Sequence, residues 1–598
     1  MQKIGILDFG GQYTHLIARR IRELGIYSEI VNPEAFNLDF SYIGLIFSGG
    51  PHSVTEADLL SIPFDINKIT VPLLGICYGH QLIARLFHGN VQSVHAKEYG
   101  ETRIQIIEQS ILLQDMEKEQ IVWMSHGDSV MHLPKEFITT ATSDHKGITA
   151  FENPGKNIFG IQFHPEVTHT INGMQILDNF LKVCTMFRDW KPEDFLNNII
   201  SAIQTASNGK KLLVLISGGI DSLVALILCI KAVGNENVFS IHVDTGFMRK
   251  NESTSVSEFL HELGFQNIKV VDARDKFFSR LHDVTDPEEK RKIIGTIFVE
   301  VMHEELVRLN LNFNELMLVQ GTIYPDTIES GGTKTSSTIK THHNRVPEID
   351  RLIKNGQIIE PLKELYKDEI RRIAELLDLP DELIQRRPFP GPGLAIRILA
   401  RKKNDPVDYS FMDQFDQLYP ILTFYKIDGT ILPVKSVGVQ GDFRTYRHPI
   451  LLWSNNKNFP GWKILKECTN KLINQLSSLS RAIYSADKIN NQFELRESLL
   501  TEENVRMLQE VDDIIHLRTV HLKEIWQLPV ISLPLFDQAG KQVFIMRPVC
   551  SQDAMTADVY EMDYTLLQSI IDEVKLKTGA GYLFYDLTTK PPATIEWE

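Results

Sequence analysis

Short apolar runs alternate with stretches of helical character in the first part of the chain. Runs at residues 3–8, 42–47 and 71–76 predict strands, and each run is followed by glycine within a few residues. Helices are predicted from residue 10 to about residue 24 and again after residue 77. This alternation predicts an α/β fold that contains a parallel sheet.

The same pattern returns at residues 212–230, where an apolar strand-like run, a tight turn and an apolar helix-like run follow one another. Further strands are predicted at 238–246, 267–271 and 316–321, as in an open sheet that binds a ligand at its switch point. After residue 400 the alternation loosens, with strands at 434–439 and 543–546 and helices near 464–479 and 504–515. We therefore predict domains at 1–190, 191–400 and 401–598, with a linker near 187–192.

Composition narrows the class of protein. The 598 residues are 43% hydrophobic and 23% charged, which is typical of a globular enzyme with several cores. A net charge of −15 provides no basic field for nucleic acid. No window of the sequence is long and apolar enough for a membrane span, and the N-terminal apolar run is too short for a signal peptide. The five cysteines are scattered, which predicts a reduced, cytoplasmic protein.

Cys77 lies between Gly75 and Gly79 where a predicted strand turns into a helix. Such a turn exposes the sulfur, and the helix N-terminus favours the thiolate. A nucleophilic cysteine requires a base and an orienting carboxylate, and His164 and Glu166 occur together after another predicted strand. An isolated cysteine in an apolar run is more often a core residue, but this combination favours a nucleophile.

These motifs resemble the class I glutamine amidotransferases, and the resemblance implies a flavodoxin-like parallel sheet in the N-terminal domain. It also implies that Cys77 attacks the glutamine amide and releases ammonia. The backbone N–H groups of Gly50 and Tyr78 are candidates for the oxyanion hole. Asp128, and less directly Gln81, are carried over as glutamine-binding residues.

The turn at residues 217–222 is glycine-rich but is not a Walker A loop, because no lysine follows its glycines. Backbone N–H groups at such a strand–helix junction favour phosphate, although an ordinary glycine turn is the alternative. The turn matches the SGGxDS loop of the ATP pyrophosphatases, and this resemblance implies an adenine nucleotide α-hydrolase-like central domain. Its ATP-binding residues would be Ser217, Gly218, Gly219, Ile220, Asp221 and Ser222.

Residues 330–350 have little apolar periodicity and are predicted to form a mobile lid. His342 and His343 in this segment are typical of a solvated loop, and a metal site is the alternative. The motifs at 321–326, 340–344 and 388–394, together with the last nine residues, resemble glutamine-hydrolysing GMP synthases over the whole chain.

That resemblance implies adenylation of xanthosine monophosphate (XMP) by ATP with Mg²⁺, followed by amination to GMP. It assigns adenylation to Asp326, Glu329, Lys340, His342 and His343. It assigns XMP binding to Arg291, Asp442, Gln527, Lys590 and Glu596, and it implies that the C-terminal tail is bound to the fold. The C-terminal α+β domain would be a dimerisation domain of the longer, eukaryotic-like form, in a homodimer.

Two positions differ from the family pattern. Tyr582 stands where relatives carry an arginine expected to contact the nucleotide phosphate, and Arg387 stands where they carry histidine. A phenol does not replace a fixed cation, so a different purine-like acceptor is one alternative. A catalytically inactive binding protein is another, which the intact motifs disfavour. A lid also makes it a reasonable hypothesis that glutamine hydrolysis waits for XMP and ATP.

Overall fold

In the computed structural model the described residues form two compact units, residues 1–197 and the residues from 198 onward. The structure describes every residue except 1, 12, 55–64, 144–146, 168, 266, 310–314, 324–356, 409–411, 441–442, 455–458, 477, 490–492, 552–556 and 591. No helix in the described ranges has the length and apolar character needed to cross a membrane.

The strands of the first unit are β1 (Lys3–Leu7), β2 (Tyr27–Val31), β3 (Tyr42–Phe47), β4 (Leu73–Ile76), β5 (Asn90–Ile106), β6 (Glu119–His132), β7 (Ile138–Ser143), β8 (Ile148–Asn153) and β9 (Ile158–Ile161). Among the described residues these nine form one sheet in the order β2-β1-β3-β4-β9-β8-β6-β5-β7. Neighbours from β2 to β9 are parallel, as predicted. The other pairings are antiparallel, so the prediction of a parallel sheet is right for only part of it.

Helices α1 (Thr14–Glu23), α2 (Tyr78–Leu86) and α3 (Gly173–Cys184) cover this sheet, and α4 (Pro192–Ser207) follows them. Ile46 and Leu74 pack in one core with residues of α1 and α3. Their neighbours Leu45 and Leu73 belong to a second core with residues of α2. Because side chains alternate across a strand, a fully apolar strand supplies both cores.

The second unit begins with β10 (Lys211–Leu215), β11 (Val238–Asp244), β12 (Ile268–Asp272), β13 (Leu316–Val319) and β14 (Ile358–Ile359). These strands form a parallel sheet in the order β12-β11-β10-β13-β14. The helices of this region are α5 (Ile220–Val233), α6 (Glu252–Glu262), α7 (Arg274–Leu281), α8 (Pro287–Arg308), α9 (Lys367–Leu376) and α10 (Asp381–Ile384). From β10 the chain continues to β11 and β12 on one side of β10, and it then crosses to β13 on the opposite side of β10. This reversal makes a switch point between β10 and β13.

The remaining strands are β15 (Ile427–Ile431), β16 (Ser436–Gln440), β17 (Phe443–Ser454), β18 (Leu479–Ser485), β19 (Glu494–Leu495), β20 (Val530–Phe536), β21 (Gln542–Met546), β22 (Val549–Cys550), β23 (Asp558–Val559) and β24 (Tyr582–Asp586). Most form a mixed sheet in the order β15-β17-β18-β24-β21-β20-β19, with β16 on β17, whereas β22 and β23 pair separately. The helices here are α11 (Tyr419–Tyr425), α12 (Trp462–Gln475), α13 (Glu502–Thr519) and α14 (Tyr564–Thr578).

Two sequence predictions are affected. The helix predicted to end at residue 479 ends at Gln475, because Leu476 is extended and Leu479 already begins β18. One core contains residues of both sheets, such as Leu213 and Leu583. The predicted boundary at residue 400 therefore lies inside one compact unit, and it stays a prediction.

Candidate active sites

Cys77 lies at the sharp turn between β4 and α2. Its φ of 53° and ψ of −105° are rare for a residue with a side chain, and such strain is typical of functional turns. A Cβ on Gly75 would lie 2.5 Å from the Gly79 carbonyl oxygen, and one on Gly79 would lie 2.3 Å from that of Phe47. Only glycine fits at either position, so the predicted sharp turn is confirmed. The predicted exposure of the sulfur is wrong, because Cys77 is buried and only 6% exposed.

His164 and Glu166 form a buried pair. Nδ1 of His164 lies 2.7 Å from Oε1 of Glu166, and Nε of Arg20 donates to the Glu166 carbonyl at 3.0 Å. Burial lowers the pKa of His164, but the negative charges of Glu166 and Cys77 outweigh it and raise that pKa to about 10. An imidazole with this pKa is protonated at neutral pH.

The loop after β3 borders this pair. A Cβ on Gly49 would lie 3.3 Å from Cε1 of His164 and 3.8 Å from Cβ of Cys77. A Cβ on Gly50 would lie 3.3 Å from Cγ of Tyr78, the first residue of α2. The two predicted oxyanion residues, Gly50 and Tyr78, are thus neighbours in space.

The predicted glutamine-binding residues belong to a buried amide network. The Asp128 carboxylate accepts a hydrogen bond from Ser53. The Gln81 side chain donates to the Asp128 carbonyl at 2.9 Å and to Oε1 of Gln162 at 3.2 Å. Nε2 of Gln162 lies 3.8 Å from Sγ of Cys77. Sequence reasoning missed Gln162, although its place two residues before His164 on the same strand end was a usable signal.

The 217–222 loop joins β10 to α5 at the predicted switch point. The Ser222 hydroxyl accepts from the Ser217 N–H at 3.3 Å and donates to the Gly219 carbonyl at 2.9 Å. A Cβ on Gly321, just beyond β13, would lie 3.1 Å from the Ser222 nitrogen. The ends of β10 and β13 therefore meet, and the N-terminus of α5 opens at a crevice suited to phosphate.

Buried polar atoms border this crevice. Oδ2 of Asp221 lies 3.3 Å from Nζ of Lys367. Oδ1 of Asp221 and Oγ1 of Thr322 have no hydrogen-bond partner among the described residues. Buried polar atoms are normally paired, so these two atoms suit a bound ligand. Within the described ranges no group of three or more side chains forms a metal-binding cluster.

Six predicted residues lie outside the described residues: Asp326, Glu329, Lys340, His342, His343 and Asp442. Of the other predicted XMP residues, Arg291 donates to a backbone oxygen of Glu598 at 2.6 Å. Glu596 accepts two hydrogen bonds from Arg397, at 2.9 and 3.1 Å. Arg291 and Glu596 therefore both lie at the end of the tail.

Gln527 and Lys590 flank the small β22–β23 ladder. Gln527 pairs with Val549 of β22, and Lys590 pairs with Ala557, which precedes β23. Because β22 and β23 are hydrogen-bonded to each other, the two predicted residues lie on either side of one short ladder.

The C-terminal tail is bound to the fold, as predicted. Trp597 is fully buried, and its Nε1 donates to Oδ2 of Asp586 at 2.9 Å. Arg481 donates to the carbonyl oxygens of Thr594 and Glu596 at 2.9 and 2.8 Å. Sequence reasoning missed Arg481 and Arg397, which bind the tail from distant parts of the chain.

The side chains at the two positions that differ from the family pattern both make contacts within the fold. Tyr582 begins β24, where its ring lies 5.4 Å from that of Phe493 and 5.4 Å from Nζ of Lys575. Lys590, a predicted XMP residue, lies beyond the opposite end of β24 from Tyr582. The contacts of Tyr582 with Phe493 and Lys575 do not by themselves support a phosphate role for residue 582. Arg387 donates to the carbonyl oxygens of Thr519 and Leu522 at the C-terminal end of α13. Arg387 therefore binds the C-terminal end of α13.

Comparison with known proteins identifies the family of this chain. Residues 5–184 match the class I glutamine amidotransferase family, 192–326 the NAD synthase family and 521–597 the GMP synthase C-terminal domain family. A probable glutamine-hydrolysing GMP synthase of Leptospira interrogans is 42% identical, over 100% of this chain and 99% of the relative. The chain belongs to the glutamine-hydrolysing GMP synthase family.

Other members of this family differ in length. The GMP synthase of Carboxydothermus hydrogenoformans is 36% identical over 100% of this chain and 99% of its own. That of Aquifex aeolicus is 40% identical over 80% of this chain and 96% of its own. The two full-length relatives are bacterial, so a chain of this length is not confined to eukaryotic enzymes.

Proposed function

We propose that this protein is a GMP synthase that hydrolyses glutamine, adenylates XMP with ATP and aminates the product to GMP. The observation that carries the proposal is the buried His164–Glu166 pair beside the strained Cys77. The chain also has the 217–222 loop, which we call the phosphate loop, at the switch point of its second sheet. The sequence-based reasons for a different acceptor, Tyr582 and Arg387, are weakened because both side chains have structural contacts.

The amidotransferase reaction follows from the first site. The Cys77 thiolate attacks the side-chain amide carbon of glutamine, and the oxyanion accepts hydrogen bonds from the N–H groups of Gly50 and Tyr78. The His164 imidazolium gives its proton to the leaving nitrogen, so that ammonia departs and a thioester remains. His164 then takes a proton from water, which hydrolyses the thioester to glutamate. Glu166 orients the ring and stabilises its positive charge.

The synthetase reaction uses the second unit. The C2 oxygen of XMP attacks the α-phosphorus of ATP, and pyrophosphate leaves toward the 217–222 loop. The loop amides and the N-terminus of α5 offset the charge of the pyrophosphate. Ammonia then attacks C2, and AMP leaves with the oxygen to give GMP. XMP binding is proposed for Arg291, Asp442, Gln527, Lys590 and Glu596, and assistance to adenylation for Asp326, Glu329, Lys340, His342 and His343.

Mg²⁺ is proposed to enter with the phosphates of ATP. Oδ1 of Asp221 has no hydrogen-bond partner among the described residues, and it lies in the 217–222 loop. It is a carboxylate oxygen, the type of ligand that Mg²⁺ prefers. A bound Mg²⁺ would neutralise phosphate charge. A homodimer formed through the C-terminal part and a location in the cytoplasm complete the proposal as predictions.

The test is GMP formation from XMP and ATP with Mg²⁺, measured with glutamine or with ammonium chloride, for the wild type and Cys77→Ala. We expect the wild type to use both nitrogen sources and the variant to use only ammonium. Glutamine hydrolysis without GMP formation from either source would indicate another acceptor. Absence of both activities would favour a binding protein.

A further inference from the structure

The guanidinium of Arg386 contacts the backbone of the phosphate loop. Its Nη1 donates to the carbonyl oxygen of Gly218 at 2.8 Å, and its Nη2 donates to Oε1 of Glu252 at 2.5 Å. Glu252 is the first residue of α6, and only 3% of its side chain is exposed. One planar side chain thus connects the loop to a buried carboxylate.

Glu252 is itself fixed in place. Its second oxygen, Oε2, accepts the backbone N–H of Arg249 at 2.9 Å. A carboxylate in the first turn of a helix is also favoured by the helix dipole. Because both of its oxygens are hydrogen-bonded, Glu252 holds the Arg386 fork at one position, in the way that outer partners orient metal ligands.

Gly218 has little freedom at this place. Its φ is +82°, and a Cβ there would lie 2.9 Å from Cγ2 of Val256 in α6. In a trans peptide the C=O and the following N–H point in opposite directions. When Arg386 binds the Gly218 oxygen, the N–H of Gly219 therefore points the other way, toward Oγ of the exposed Ser217 at 3.3 Å.

We propose that Arg386 is a positioning residue for the ATP reaction. It fixes the Gly218–Gly219 peptide plane so that the Gly219 N–H faces the β,γ-pyrophosphate, and it does so from behind the loop without touching the nucleotide. This inference rests on the proposed ATP-binding role of the 217–222 loop. A lysine would supply the charge but not the two-pronged geometry, because its ammonium is a point donor.

The test uses the full chain with Arg386→Met and Arg386→Lys. We would measure KM for ATP, KM for XMP and kcat with ammonium chloride, together with the inhibition constant of inorganic pyrophosphate. For Arg386→Met we expect KM for ATP and the pyrophosphate constant to rise about 10- to 100-fold, the usual effect of losing an outer positioning partner. Arg386→Lys should show a smaller rise, and KM for XMP should stay unchanged in both variants.

Arg401→Met is the matched control. Arg401 also donates to backbone carbonyls, those of Lys402 and Asp405, but it does not bind the phosphate loop. The control should keep the wild-type KM for ATP. The inference is wrong if Arg386→Met has a melting temperature close to that of Arg401→Met and also keeps the wild-type KM for ATP and the wild-type inhibition constant of pyrophosphate.

Other outcomes are equally decisive. If KM for ATP and KM for XMP rise equally in Arg386→Met, the inference is overturned, because a general distortion of the protein would explain an equal rise. If Arg386→Met does not fold, Arg386→Lys decides, and a wild-type KM for ATP in that variant rejects the positioning role. If the wild type releases no pyrophosphate from ATP in the presence of XMP, the proposed function fails, and the inference fails with it.

Discussion

Nδ1 of His164 lies 2.7 Å from Oε1 of Glu166, and only 6% and 1% of these side chains are exposed. Water screens a buried pair weakly, so the charge of Glu166 acts strongly on the imidazole. This explains why the pKa of His164 is raised to about 10 despite the opposing effect of burial. The resting state that follows is an imidazolium beside the Cys77 sulfur.

Glu166→Gln should impair only the glutamine half-reaction. The substitution keeps the shape of the side chain but removes the charge that stabilises and orients the imidazolium. We expect glutamine-dependent GMP formation to fall about 10²- to 10⁴-fold, by analogy with removal of the triad carboxylate in hydrolases. The rate with ammonium chloride is the internal control and should not change. Equal losses with both nitrogen sources would contradict the assignment.

The same pair predicts a pH dependence of stability. The folded pKa of His164 is raised from 6.5 to about 10, so the folded state binds the proton more tightly than the unfolded state does. The stabilisation is complete below pH about 6.5 and is lost as the pH rises through about 10. Urea unfolding of the wild type and Glu166→Gln across this range should give a difference in unfolding free energy that shrinks with rising pH. A difference that is constant or grows would show that the charge pair does not cause it.

Gly218→Ala should destabilise the phosphate loop. Alanine at this position would have a positive φ, and its Cβ would lie 2.9 Å from Cγ2 of Val256. Gly209→Ala is the matched control, since its φ is +75° but nothing lies within 4 Å of the new Cβ. Strain alone should cost about 1 kcal/mol at both positions, and the clash should add to this at Gly218. Thermal unfolding of both variants tests the difference, and equal melting temperatures would refute the clash.

Arg397 and Glu596 should be energetically coupled. Their two hydrogen bonds join side chains that are 1% and 19% exposed. Arg397→Met leaves a carboxylate without its main partner and should cost about 3–5 kcal/mol of unfolding free energy. The double variant with Glu596→Gln should lose less than the sum of the single variants, by about 0.5–3 kcal/mol. Urea unfolding of all four proteins measures this coupling, and strict additivity would mean that the pair does not anchor the tail.

Local pattern and long-range contact were not equally predictable. The Cys77 elbow and the 217–222 loop could be predicted because the glycines that a sharp turn requires and the start of the following helix lie within a few residues of each other in the sequence. Arg397 binds Glu596 across 199 positions, and Arg481 binds Thr594 across 113, so only the completed topology brings these residues together. The antiparallel strands β5 to β8 were missed for a related reason, because the direction of a strand depends on its neighbours and not on its own apolar pattern.

Tyr582→Arg tests whether residue 582 belongs to the nucleotide site. In the wild type the Tyr582 ring packs 5.4 Å from Phe493 and 5.7 Å from Phe584. Arginine there would lose these ring contacts and would add a like charge beside Lys575, whose Nζ lies 5.4 Å from the ring. We therefore expect a loss of about 1 kcal/mol of unfolding free energy and no change in KM for XMP. Tyr582→Phe, which keeps the ring, is the control and should match the wild type in both measurements. A several-fold lower KM for XMP in Tyr582→Arg would show that residue 582 can contact the nucleotide phosphate, and a role in packing alone would then be refuted.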